Sequence, residues 1–532
     1  MIGLMQHAPL LVSSVLEHAR KWHSRQQIVS FPVEETRFCY DYAGLGARSS
    51  QLAHALCEIG IGEGHAVSII AWNTHRHLEA WYALSGIGAI AHAVNPRLTP
   101  EQAAATVAAV GAKAIFTDLT FAPLAKALAA QCEIECVIVM TTLALMPEDF
   151  PALCYEALIQ GRADVYDWPR LDENTANAAC FTSGTTGMPK GVVYSHRFNV
   201  LHALAVSGKD AADIGSRDTM LPAAPMFHAN GWGIPYAAPI TGARLVLAGR
   251  AMDGASLHEK IISEGVTITL GVPTMWVDML SHIEKSGADA GRLERVVIAG
   301  SAAPESMIRQ FRERYDVEVR QCWGMTETSP IGTASLPAHD AASNVAAARK
   351  QGRPVFGVDI RVIDEETSAP LPHDGTSTGR LQVRGGWVLE RYLGSKTAAV
   401  DGDGWFDTGD IATINADGVM EITDRAKDLI KSGGEWISSV DLENTAMGHP
   451  DVLQAAAIGV PDNKWGERPV LFVVARPEAD LVGEQVVGYL ADRIAKWWLP
   501  DRVIFLKELP LAATGKVRKT KLREEYAECI VG

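Results

Sequence analysis

The stretch from Cys180 to Gly191 reads Cys-Phe-Thr-Ser-Gly-Thr-Thr-Gly-Met-Pro-Lys-Gly. Gly184, Gly187 and Gly191 stand among the hydroxyls of Thr182, Ser183, Thr185 and Thr186, with one cation, Lys190. So much glycine weakens any helix or strand, so the stretch must be a loop. It follows the apolar run Asn177–Cys180, which reads as the end of a strand. Without Cβ atoms in the way, backbone N–H groups can close on an anion. Clustered N–H and hydroxyl donors beside one ammonium suit a polyphosphate. The common nucleotide P-loop needs Gly-Lys followed by Ser or Thr. Here Pro189 precedes Lys190 and Gly191 follows it, so this is not that P-loop; a flexible Gly/Thr surface loop is the plain alternative to a phosphate site.

The chain has 532 residues, more than one ordinary domain holds. It is 47% hydrophobic and 21% charged, as globular chains are. No apolar run approaches the roughly 18 residues of a membrane span, and no secretory leader pattern opens the chain. The net charge of −15, without a long basic block, argues against nucleic-acid binding. An acidic protein that binds a nucleotide must gather positive potential locally, so each Lys or Arg inside a motif carries weight. The eight cysteines are scattered and only Cys132 and Cys136 lie close together, so free thiols in the cytoplasm are expected, not a metal site.

Apolar β-rich runs alternate with helical patterns over most of the chain. Ala66–Ala71, Ala114–Thr117, Cys136–Met140, Leu245–Ala248 and Val296–Ala299 read as strands. Leu10–Trp22, Leu78–Gly86, Met275–Lys285 and Ser306–Tyr315 read as helices. The alternation predicts layered α/β sheets. From Leu381 to Ile422 the strands become short and close in sequence, as in a small antiparallel, β-barrel-like subdomain or meander. After Asp428 a helix, the strand pair Leu453–Val460 and Val470–Ala475, a helix over Glu484–Trp497 and the strand Val503–Leu506 suggest a small α+β domain. The division is expected at 1–424 and 425–532.

Further motifs follow in order. Gly300, Ser301, Ala302 and Ala303 come directly after a strand, where small residues leave room for a planar base. Gln321, Cys322, Trp323, Gly324, Met325, Thr326 and Glu327 join an aromatic surface to a hydroxyl and a carboxylate. A carboxylate beside phosphate oxygens is what Mg²⁺ prefers. Gly404–Asp410 ends on Asp410, and Asp424-Arg425 follows. Near the end, Thr514-Gly515-Lys516 presents one Lys on a flexible loop, with Arg518 and Lys519 beyond it.

Together these motifs resemble the adenylate-forming superfamily, most closely its bacterial medium- and long-chain fatty acyl-CoA synthetases, across essentially the whole chain. The resemblance implies an ATP-dependent carboxylate–CoA ligase that forms an acyl-adenylate and then a thioester, with ATP, Mg²⁺ and coenzyme A. It implies that Ser183–Gly187 and Lys190 hold phosphate, that Trp323 stacks on adenine, and that Thr326 bonds the α-phosphate. Glu327 would hold the metal and Asp410 the ribose hydroxyls, with Arg425 nearby. Trp323 stands where the family has Tyr, so any role of a phenolic OH is expected to be lost. Lys516 becomes the cation of the adenylation step. Lys431, Gly433, Gly434, Glu435 and Trp436 would line the pantetheine tunnel once the small domain rotates about Lys427. Lys464 and Trp465 would lie near the nucleotide end of CoA.

His228 would border the acyl site, with Gly300 and Gly324, and Trp232 would gate it; core packing is the plain alternative for both. A medium-chain fatty acid is the expected substrate, with 3-methylmercaptopropionate or another short or aryl acid as the alternative. A homodimer is expected as well. Loading of a separate carrier protein, a luciferase-like oxygenase and a non-catalytic adenylate binder stay open. Two patterns carry nothing. Gly86–Ala91 ends a helix where a dinucleotide fingerprint would begin one. Gly375–Gly379 precedes a strand where a nucleophile elbow needs a helix.

Overall fold

The computed structural model describes residues 3–134, 136–148, 150–182, 188–335, 340–433, 435–462, 464–477, 479–512 and 516–530. Among these, two large sheets make the body of a large N-terminal domain. The first has seven strands in the order Leu153–Cys154, Cys136–Val139, Ala112–Thr117, Ala66–Ile70, Ile90–Ala93, Ala176–Phe181, Gly191–Ser195. It is parallel except for its last pair, where Phe181 faces Gly191. Its central strand Ala66–Ile70 is buried at every residue, which is why it reads as an unbroken apolar run and not an alternating one.

The second sheet has nine strands. At its centre Arg244–Leu247, Thr219–Pro222, Ile268–Gly271, Arg295–Ile298 and Glu318–Gly324 run parallel. The helix His75–Gly86 is wedged between the sheets and buried along its whole length. Trp81 Nε1–H donates to Tyr236 Oη at 2.6 Å, and Tyr82 Oη–H donates to the Pro235 carbonyl at 2.6 Å. A buried charge must be paired. On this helix Glu79 meets Arg48 at 2.9 Å and Arg76 meets Glu156 at 2.6 Å.

The short strands take the meander form: Val358–Ile363, Gly379–Gly385, Phe406–Ile414 and Met420–Arg425 pair in sequence order, all antiparallel. The smaller C-terminal domain follows, with a five-stranded sheet and the helices Ser439–Met447, Gly483–Ala491 and Lys519–Ile530. Its strands alternate between two cores. Ala457, Leu471 and Val473 face Leu442, Val486 and Leu490, while Ile458 and Phe472 face Leu522. The helix expected over Glu484–Trp497 stops at Ala491. There the Arg493 and Ile494 N–H groups both turn back to the Leu490 carbonyl, and Ile494 and Leu499 pack against the core.

Candidate active site

Strands that run parallel release their connecting loops at one edge, and ligands of α/β sheets bind there. The second sheet does this. Pro225 and His228 follow Thr219–Pro222, Arg250 follows Arg244–Leu247, Val272 and Met275 follow Ile268–Gly271, Gly300 follows Arg295–Ile298, and Thr326 follows Glu318–Gly324. All of them line one cavity of about 1290 Å³, together with Thr182 and Lys190 from the first sheet. Arg425 reaches it from the meander, and Leu511 and Lys516 from the small domain.

Two glycines shape its wall. Gly300 has φ +90°, and a Cβ there would lie 3.2 Å from Val272 Cγ1 and 3.6 Å from Lys516 Cε. A Cβ on Gly324 would run into the Pro330 carbonyl, so strand and turn can close only on glycine. The Thr326 carbonyl accepts from Tyr194 Oη–H at 2.7 Å. Glu327 is 6% exposed, and its Oε1 accepts from Tyr392 Oη–H at 2.7 Å. Lys190 Nζ lies 5.0 Å from the centre of the Tyr392 ring.

Trp323 has no phenolic OH, yet its indole keeps a polar contact. Its Nε1–H donates to Asp410 Oδ2 at 2.8 Å, and Arg425 Nε meets Asp410 Oδ1 at 2.9 Å. The indole presents a face to the cavity and a donor to the carboxylate behind it. Asp410 therefore stands behind the wall, 3% exposed. Lys516 lines the cavity while surrounded by protein. That desolvation, helped by Arg425 and Lys427, lowers its pKa to about 8 against the opposing pull of Asp410 and Glu327.

His228 and Trp232 also line the cavity, Trp232 half-buried. Between them the backbone is left-handed at Ala229, Asn230, Gly231 and Trp232, with φ of 33°, 45°, 63° and 58°. Val206, Leu270, Val297, Cys322 and Ile331 give the cavity apolar lining.

Not every expected residue meets the cavity. Ala303 is buried, and its N–H donates to Gln321 Oε1 at 3.2 Å; neither these two nor Ser301 and Ala302 line the wall. Lys431, Gly433, Glu435 and Trp436 lie on a hairpin of the small domain that is not part of this wall. The Lys431 ammonium sits 4.3 Å over the Trp436 ring, and Lys464 sits 4.6 Å over Trp465. Ser183, Gly184, Thr185, Thr186, Gly187 and Gly434 lie outside the described residues. The stem of their loop is closed, with Thr182 N–H donating to the Lys190 carbonyl at 2.9 Å and Lys190 N–H to Thr182 Oγ1 at 3.3 Å. Tyr392, Arg97 and Arg250 escaped sequence reasoning. Tyr392 sits among Trp387, Val388, Leu389 and Leu393, a context that reads as core and gives no local signal of its bond to Glu327.

The donor set fits a divalent cation held partly by its ligand. No described residues form a cage of three or more His, Cys, Asp or Glu. Glu327 supplies one carboxylate at the cavity wall, and the remaining ligands of a Mg²⁺ would be phosphate oxygens and water.

The chain belongs to the AMP-binding enzyme family: the family model matches residues 15–393, and that of the AMP-binding enzyme C-terminal domain matches 441–516. It is 44% identical to a medium-chain-fatty-acid–CoA ligase of Ectopseudomonas oleovorans, over 100% of this chain and 98% of the relative. It is 43% identical to a 3-methylmercaptopropionyl-CoA ligase of Ruegeria lacuscaerulensis over the full length of both. An anthranilate CoA ligase solved with anthranoyl-AMP shares the fold at a TM-score of 0.88, with 22% identity and 98% of each chain covered. No described helix is long and apolar enough to cross a membrane.

Proposed function

We propose that this AMP-forming acyl-CoA ligase activates a medium-chain fatty acid, first as the acyl-adenylate and then as the CoA thioester. The observation that carries the reading is Lys516, delivered by the small domain into the cavity that Thr326 and Glu327 also line. As the acid's carboxylate attacks the α-phosphate of ATP, charge builds on the phosphoryl oxygens. Fixed cations and donors aimed there lower the barrier. Lys516, Lys190 and the Thr326 hydroxyl are the groups assigned to that task. Trp323 would carry the adenine and Arg425 would reach the ribose, both held from behind the wall by Asp410. Glu327, held by Tyr392, would bind Mg²⁺, which supplies charge neutralisation at the phosphates. The apolar lining from Val206 to Ile331 supports an uncharged tail.

We place the boundary between the domains at 424/425 and the hinge near Lys427. The Lys431–Trp436 hairpin is assigned to the thioester step, since one face of a small domain cannot serve both chemistries. The cysteines free among the described residues favour a reducing compartment, and the cytoplasm is part of the reading. Full-length likeness to a 3-methylmercaptopropionyl-CoA ligase favours that short thioether acid as the second candidate.

The test is AMP, pyrophosphate and thioester formation with acetate, butyrate, methylmercaptopropionate, octanoate, palmitate and cinnamate. Octanoate should give the highest kcat/KM. A maximum at methylmercaptopropionate selects the alternative. Adenylate without thioester for every acid overturns CoA as the acceptor.

A further inference from the structure

The basic residues after Lys516 look like a solvated tail in sequence, yet one of them is enclosed. The side chain of Lys519 is 13% exposed, and its Nζ donates to Ser439 Oγ at 2.6 Å and meets Glu443 Oε1 at 2.7 Å. Ser439 passes the contact on. Its Oγ–H donates to Asp424 Oδ1 at 3.0 Å and its N–H donates to Asp424 Oδ2 at 2.6 Å. Asp424 is 1% exposed and Ser439 fully buried. Glu443 Oε1 also accepts from the Ala457 N–H at 2.7 Å, so its position is fixed by the small-domain sheet.

Three separate pieces of chain meet here. Asp424 ends the meander strand Met420–Arg425, Ser439 and Glu443 lie on the helix Ser439–Met447, and Lys519 opens the helix Lys519–Ile530. Side chains alternate along a strand. Arg425 therefore faces the cavity beside Asp410 while Asp424 faces the small domain. The proposed hinge, Lys427, lies between Asp424 and Ser439. The chain between Lys516 and Lys519 is short and tied down. Ala512 N–H donates to the Lys516 carbonyl at 2.6 Å, and Arg518 N–H donates to the Pro510 carbonyl at 2.7 Å. A displacement of Lys519 is passed to Lys516.

We propose that Lys519 is a positioning residue for Lys516, and that Asp424, Ser439 and Glu443 form the socket that holds it. The socket spans the hinge. Lys519, Ser439 and Glu443 all belong to the small domain, so only the Asp424–Ser439 bonds cross the hinge, and these exist only while the small domain presents Lys516 to the cavity. The socket therefore biases the enzyme toward the adenylation orientation. The inference rests on the reading of Lys516 as the adenylation cation.

The test measures the two half-reactions separately on the full chain, as acid-dependent ATP–pyrophosphate exchange and as thioester formation from supplied acyl-adenylate and CoA. In Lys519→Met, exchange should fall about tenfold or more while thioester formation stays within about twofold, because a small misplacement of a reacting group is costly. Lys519→Arg should recover part of the exchange, a rescue that a merely structural role would not give selectively. Lys519→Met leaves Asp424 and Glu443 without their cation, so Ser439→Ala, which unpairs no charge, serves as the second variant. It should show a smaller fall in the same direction, and it decides alone if Lys519→Met does not fold. Parallel loss of both half-reactions, or unchanged exchange in Ser439→Ala and Lys519→Met, overturns the socket. Wild-type enzyme without acid-dependent exchange would overturn the ligase reading instead.

Discussion

Lys516 enters the cavity as an ammonium that burial makes easier to deprotonate. Its lowered pKa, about 8, has a consequence for the pH profile. The charged form predominates below that value and is the form that can stabilise a phosphoryl charge. The kcat/KM of adenylation for ATP, which reports the free enzyme, should therefore fall as pH rises through about 8, by about tenfold per unit. In Lys516→Arg the lower rate should be flat over the same range. Lys516→Ala should cost adenylation about 3–4 kcal/mol, or about 10²–10³ in rate. Thioester formation from preformed adenylate should be largely spared, and equal loss in both steps would remove Lys516 from its role. Glu327→Gln keeps an oxygen but loses the charge that a hard cation prefers, so its Mg²⁺ requirement should rise and its rate recover partly at high Mg²⁺. Titrating Mg²⁺ against rate checks this. At this scale the sequence was readable where a motif is contiguous, as in Thr326-Glu327. It was not readable where a partner is remote: Asp410 lies far along the chain from Trp323, so the role of the indole N–H was invisible.

The turn from Ala229 to Gly233 brings Trp232 to the cavity on strained backbone. Left-handed backbone at non-glycine residues costs about 1–2 kcal/mol each, and Ala229, Asn230 and Trp232 all adopt it. The two side-chain polar atoms of Asn230 are also buried without a partner among the described residues. Such strain persists only when the surroundings hold it, and it is found at functional sites. If Trp232 lids the acyl cavity, Trp232→Ala should change the butyrate-to-octanoate preference, since a methylene in an apolar pocket is worth about 1–3 kcal/mol. ATP affinity should stay nearly unchanged. If Trp232 is only packing, Tm should drop and the ranking of acids should hold. Both are measured on one preparation. The strands were legible as elements because buried parallel strands are apolar runs between turn residues. Their order was not, because sheet neighbours such as Gln27–Ser30 and Arg244–Leu247 are distant in sequence and nothing local to either specifies the other. The early stop at Ala491 was hidden for the same reason: the core that Ile494 and Leu499 complete is assembled from elsewhere.

The whole molecule places part of the cavity lining on a domain that also carries the hairpin proposed for the second step. Lys516 and the Lys431–Trp436 hairpin belong to the same small domain, and among the described residues beyond the meander strand Met420–Arg425 only Lys516 and Leu511 reach the cavity. If the hairpin serves the thioester step, as proposed, this orientation leaves it away from the cavity, and the two steps then call for two orientations. The short segment between Arg425 and Asp428 must absorb the turn. It is compact: Ala426 N–H donates to the Gly409 carbonyl at 3.1 Å and Asp428 N–H to the Arg425 carbonyl at 2.9 Å. Lys427 lies between these bonded residues, where a change of φ and ψ redirects everything after it. Proline fixes φ near one value. Lys427→Pro should therefore leave ATP–pyrophosphate exchange within about twofold while thioester formation from supplied acyl-adenylate falls about tenfold or more, because the hairpin is no longer brought to the carbonyl. Single-turnover measurement of both steps on the variant decides it. Two normal steps would move the hinge away from Lys427. Loss of exchange alone would mean that proline has displaced Lys516 and not the turning of the domain.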